Sequence, residues 1–122
     1  MTDINDTIFE VLADINSCSY WLDCLYLCNP DGTEISDEDR NDLKKGKKSR
    51  YGGGLCIEEI WMEGLKKGFS LKAVPQEDEP VCVTYQKLAK ACAGVDIDSS
   101  WFDGLTVDRV FQTACFNEVV YG

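Results

Sequence analysis

Histidine is absent from this 122-residue sequence. That absence removes the commonest general base, the usual serine or cysteine triad and most catalytic zinc sites. Also missing is any apolar run near the roughly 20 residues that a membrane span requires. The opening Met1-Thr2-Asp3-Ile4-Asn5-Asp6 has neither the basic start nor the apolar stretch of a signal peptide. A cytoplasmic chain with no membrane partner is therefore expected. No base occurs before Arg40, and no internal repeat is present. The length fits one domain with a real core.

What is present begins with acid. The formal charge is −10, unevenly placed: residues 1–39 carry ten acids and no base, 40–74 four acids and nine bases, 75–122 eight acids and three bases. Such a field repels nucleic acid and anionic membrane and attracts basic surfaces. Seven cysteines are scattered through mostly apolar stretches. In a reducing compartment they read as small buried hydrophobes.

The pattern predicts an α+β fold, residues 1–122 forming a single domain of three to four helices on a small sheet of two to three strands. Ile4, Ile8, Val11, Leu12 and Ile15 recur at helical spacing behind Thr2 or Asp3 as N-cap. The run from Tyr20 to Leu27 reads as a buried strand, with a helix that turns Trp21, Cys24, Leu25 and Cys28 inward as the alternative, and Asn29-Pro30-Asp31-Gly32 reads as a turn. Polar, glycine-interrupted sequence then predicts a mobile loop over 30–54, with room for a short helix from Ser36 to Lys44. A helix follows from Cys56 to Lys67, with Ile57, Ile60, Trp61 and Leu65 inward and Gly68 as its stop. Phe69 to Ala73 and Val81 to Val83 read as paired strands around an acidic turn. Thr84 caps a helix closed by Gly94, and the last helix starts near Thr106 and presents Val107, Val110, Phe111, Ala114 and Cys115.

Few chemical motifs survive inspection. Cys56, after three glycines and at a helix start, is the one cysteine placed to be a stabilised thiolate, but it reads as core like the others. A four-thiolate zinc site needs two close pairs, and Cys18, Cys24 and Cys28 do not supply them. Asn29 to Glu38 puts Gly32 and Glu38 where a calcium loop has them, but its first ligand position falls on Leu27. It reads as a solvated acidic turn. Lys44-Lys45-Gly46-Lys47-Lys48-Ser49-Arg50 lacks the glycine spacing of a phosphate loop. Neighbouring acids such as Glu58 with Glu59 read as exposed. No cofactor and no metal is called for, and no enzyme is expected.

The chain ends Asp108-Arg109-Val110-Phe111-Gln112-Thr113-Ala114-Cys115-Phe116-Asn117-Glu118-Val119-Val120-Tyr121-Gly122. This resembles the end of small acidic accessory proteins of bacteriophages and prophages, which finish in Phe-Gly-Glu, two aliphatic residues, Tyr and Gly. Ser19-Tyr20-Trp21 is similar to a further element of that group, and Asn117 stands where glycine is common. The resemblance implies a phage accessory protein in the cytoplasm of a bacterial host. It brings no catalytic residue. Read from the residues alone, the ending is a helix turning at Asn117 into a tail docked on the chain's own core.

The function expected is binding to a host protein, as an acidic nucleic-acid mimic that inhibits a defence complex such as a CRISPR effector or restriction enzyme. Asp3, Asp6, Glu10 and Asp14 on the first helix, with Asp31, Glu34, Asp37, Glu38 and Asp39 in the loop, are the residues that would imitate phosphates. The alternative is a nucleic-acid- or nucleotide-binding accessory protein that uses Lys44, Lys45, Lys47, Lys48 and Arg50 on phosphates, with Tyr51 available to stack.

Overall fold

The computed structural model describes residues 3–100 and 102–122. Nine elements follow one another: α1 (Ile4–Ala13), a 3-10 turn (Ile15–Cys18), β1 (Leu22–Cys28), α2 (Asp37–Lys44), α3 (Ile57–Lys66), β2 (Ser70–Pro75), β3 (Val81–Val83), α4 (Tyr85–Cys92) and α5 (Gly104–Phe116). The α+β expectation holds, with five α-helices among the described residues where three to four were expected. The added one is α2. Ser36 caps it by accepting a hydrogen bond from the Asp39 N–H, and Asp37, Glu38 and Asp39 fill its first turn, where helix polarity favours acids.

The three strands form one antiparallel sheet in the order β1-β2-β3. Register decides which residues share a face. Leu25 lies opposite Ala73 and Ala73 opposite Val81, while Leu27 lies opposite Leu71 and Leu71 opposite Val83. Because side chains alternate along a strand, this set forms the inner face, and Leu27, Leu71, Ala73 and Val83 are buried with the helices. Cys24, Tyr26, Cys28, Ser70, Lys72, Val74 and Cys82 make the outer face. Residues 29–35 fold back over one end of that face: Glu34 bridges to Cys28, the Ile35 N–H donates to Leu27 O, and Lys72 Nζ donates to Gly32 O.

The core joins the inner faces of all five helices to the sheet, with Ile8, Phe9, Leu12, Leu65, Leu88 and Phe111 among its anchors. Gly64 sits on α3 where a Cβ would stand 2.7 Å from both methyls of Leu27, so β1 and α3 pack with no room for a larger residue. Helix α3 ends at Gly68 in the left-handed region (φ 100°), and α5 ends at Asn117 (φ 64°), both as the sequence predicts. Helix α5 starts earlier than expected, at Gly104, because the Asp103 carboxylate accepts from the Thr106 N–H.

Two expectations about these elements need correction. The strand starts at Leu22 and is only half buried, since no helix covers the outer face at Cys24, which is exposed. Ile57 is 50% exposed: as the first residue of α3 it lies beside the shallow rim formed with Tyr26 and Arg40. Thr2 as N-cap lies outside the described residues, while Asp3 does cap α1, accepting from the Asn5 N–H.

Candidate functional site

The α1 sequence sorts its residues by face. Thr7, Ile8, Phe9, Val11 and Leu12 are buried, and Asp3, Asp6, Glu10 and Asp14 are all exposed. Spacings of three, four and four residues keep these carboxylates in one stripe. At about 1.5 Å rise per residue the stripe is about 16 Å long, one charge per roughly 5 Å. No ion pair among the described residues reaches any of the four.

The second group of acids is engaged locally. Asp31 Oδ1 accepts from the Thr33 N–H at 2.9 Å and hydroxyl at 2.6 Å, and these bonds hold its carboxyl below the ordinary value. Glu34 and Asp37 share Arg40 at 3.5 and 3.9 Å. Asp37, Glu38 and Asp39 belong to the first turn of α2. The structure therefore separates the nine candidate acids into a helical stripe without ion pairs, in which Asp3 accepts from the Asn5 N–H and Asp14 from the Ser17 hydroxyl, and a corner in which Glu34 and Asp37 share Arg40.

The basic segment is tied to α3. Lys47 Nζ pairs with Glu63 at 2.5 Å. Glu59 accepts from the Ser49 hydroxyl at 2.5 Å, the Arg50 N–H at 3.1 Å and the Cys56 N–H at 3.2 Å. The Ser49 bond foremost, with Cys56 and Arg50 adding to it against some desolvation, brings the Glu59 carboxyl down to about 2. Glu59 is thus a buried anchor, not the exposed acid that its pairing with Glu58 suggested. Its signal was present as the third residue after the helix N-cap, with cysteine where Ser or Thr is usual. The Arg50 guanidinium continues onto α1, lying 3.9 Å above the Phe9 ring centroid. Lys44, Lys45, Lys48 and Tyr51 stay exposed, Tyr51 at 70%.

Between α1, this segment and α3 lies a cleft of about 330 Å³ whose lining includes Asp6, Phe9, Lys48, Arg50, Met62 and Lys66. The two candidate sites, acidic stripe and basic segment, therefore adjoin. Cys56 is part-buried, and its surroundings favour the thiol over the thiolate. Burial, then the neighbouring Glu58 and Glu59, pushes its thiol up to about 11, and the thiol donates to Glu59 at 3.1 Å.

A third cluster was not assembled by sequence reasoning. Trp21 Nε1 donates to Asp108 Oδ1 at 2.7 Å, Tyr20 OH to Oδ2 at 2.5 Å, and Gln112 Nε2 to Oδ1 at 3.0 Å. Burial raises the Asp108 carboxyl, but the bonds from Tyr20, Gln112, Trp21 and Cys18 outweigh it and hold it below its ordinary value. Gln112, fully buried, accepts from the Val120 and Tyr121 N–H groups at 2.8 and 2.7 Å, and Nε2 lies 3.0 Å from Tyr121 O. The Tyr121 ring stacks on Trp21 at 5.2 Å, and its hydroxyl donates to Asp78. The tail is docked as expected, though through Tyr121 and its backbone; Val119 and Val120 are half exposed.

No protein-family model matches the chain, and no curated protein or solved structure matches it either. Among the described residues no helix is long and apolar enough to cross a membrane. No group of three or more Cys, Asp or Glu side chains there is placed to hold a metal ion.

Proposed function

We propose that this chain works by binding a host protein through the acidic stripe of α1, as an inhibitor that occupies a basic nucleic-acid channel. The phage origin and the bacterial cytoplasm rest on the resemblance at Ser19-Tyr20-Trp21 and the C-terminus. The observation that carries the binding mode is the stripe: four exposed carboxylates in line with no cation spent on them. One charge per roughly 5 Å of helix compares with one per about 3.4 Å along a single nucleic-acid strand. A channel that reads backbone charge rather than bases meets a similar field in both.

The alternative, phosphate binding by residues 44–51, is weaker on the same ground. Lys47 and Arg50 face Glu63 and Glu59, and Asp6 lines the same cleft. Lys44, Lys45, Lys48 and Tyr51 alone are left for a nucleic acid.

The test is a cleavage assay of a bacterial CRISPR effector or restriction enzyme with the purified protein added. Wild type should inhibit, less so as salt rises. The combined D3N/D6N/E10Q/D14N variant keeps an N-cap at Asn and should lose inhibition. Equal inhibition by that variant removes the mimicry reading. A gel shift by the wild-type protein at low salt, lost on neutralising Lys44, Lys45 and Lys48, would favour the alternative.

A further inference from the structure

We infer that Cys28 and Cys82, on the outer face of the sheet, form a two-thiolate site for a soft monovalent metal ion, Cu(I) being the type. The sulfurs stand 3.9 Å apart. Cys28 is on β1 and Cys82 on β3, with β2 between them. Cys28 is the register partner of Ser70 and Cys82 of Lys72, so the two thiols approach diagonally across β2, at a separation well beyond the roughly 2.05 Å of a disulfide bond. The thiols reach toward each other across β2, and both are free. A shared ion suits the gap. With metal–sulfur distances of about 2.3 Å, sulfurs at this separation subtend about 116° at the ion, and a fully linear arrangement would need about 4.6 Å. A bent two-coordinate ion therefore fits the thiols nearly as they stand.

Ligand number and charge select the ion. Zinc seeks four donors, and no third Cys, Asp or Glu among the described residues completes such a set. Thiolate softness favours Cu(I) among the remaining metals. Binding releases two thiol protons, and two thiolates with Cu(I) make a centre of charge −1. Lys72 supplies the counter-charge. It is the register partner of Cys82, shares the outer face, and is held over it by its bond to Gly32 O at 2.9 Å. The turn at Gly32 closes the site, since a Cβ there would stand 3.9 Å from Cys82 Sγ and 3.6 Å from Lys72 Nζ. Cys28 is fully buried beneath this turn and Cys82 half-buried, which gives the ion one side of entry.

The experiment titrates Cu(I), without oxygen, into reduced protein against a chromophoric Cu(I) chelator. The parent carries C24S and C56S, which removes the two other accessible thiols. One Cu(I) per chain should be withheld from the chelator, with two sulfur neighbours by X-ray absorption. C28S and C82S should each abolish that competition. K72Q should weaken it by about 10- to 100-fold, the range typical of an outer-shell partner. Competition unchanged in C28S or C82S overturns the proposal, as does no competition by a folded parent.

Discussion

Gln112 is the side chain on which the C-terminal tail depends, and Q112A measures how much. Its Oε1 is the acceptor for two tail amides, and its Nε2 donates to the buried Asp108. A neutral hydrogen bond contributes about 1 kcal/mol and one to a charged group about 1.5–3 kcal/mol, so about 3–5 kcal/mol is at stake. The freed tail amides regain water, which places the expected loss near the lower end, about 3 kcal/mol. With an unfolding entropy of about 2.1 cal/mol/K per residue, a chain of this length loses about 4 °C of Tm per kcal/mol, or about 12 °C here. Q112L keeps most of the volume and removes the polar atoms, so it should lose nearly as much if hydrogen bonding rather than packing dominates. Thermal unfolding by circular dichroism gives the magnitude, and amide exchange at Val120 and Tyr121 reports the tail. Variants melting within about 3 °C of wild type, with both amides still protected, would refute the assignment.

Three further outcomes follow from the same geometry. G64A drives a methyl into Leu27 at 2.7 Å and should cost about 1–3 kcal/mol by overpacking; an unchanged Tm would mean that β1 and α3 are not so closely apposed. E59Q removes the carboxylate that gathers Ser49, Arg50 and Cys56, and amide exchange at Arg50 and Cys56 should accelerate while α4 and α5 are unaffected. The Asp78 carboxylate, with some burial, pushes the Tyr121 phenol from an ordinary 10 up to about 12. A raised folded value means that this contribution is whole below pH 10 and is lost as pH rises from 10 to 12. Y121F should therefore show a flatter stability profile than wild type across that window, and identical slopes would argue against the Asp78 contact.

Legibility followed how local the physics was. Helices α1 and α4 were readable because their buried residues recur at helical spacing behind a capping Asp or Thr, and α5 by spacing alone, its Asp103 cap being missed. Helix α2 gives periodicity little to register, since Leu43 is its one buried side chain, yet the short helix from Ser36 to Lys44 was legible from the Ser36 cap. The strands were readable, but their exposed face was not, because Cys24 and Tyr26 are as apolar as the residues that face the core. Composition cannot tell which side a helix will cover. For the candidate site, the α1 stripe was fully readable, as acids alternate with apolar residues on one helix. The restraint on the basic segment was not, because Glu59 and Glu63 lie on a helix that sequence joins to it only through a glycine run.

The residues that carry the phage resemblance prove to be one another's partners. Tyr20 and Trp21 come from the segment before β1, Asp108 and Gln112 from α5, and Tyr121 from the tail, and they meet around a single buried carboxylate. Asn117 makes the left-handed turn that sends the tail back toward them. Each of these identities has a structural reason: a phenol and an indole to donate, a carboxylate to accept, and an amide able to do both. Of the remaining residues of the resemblance, Glu118, Val119 and Val120 stay exposed beside this network. The acidic stripe lies on another element and takes no part in this network, so stability and binding are separable by mutation. Tail variants should lower Tm while a folded remainder still inhibits, and stripe variants should lose inhibition at unchanged Tm. If removing the stripe charges instead lowered Tm, the four carboxylates would be serving the fold, and the binding surface would have to be sought elsewhere.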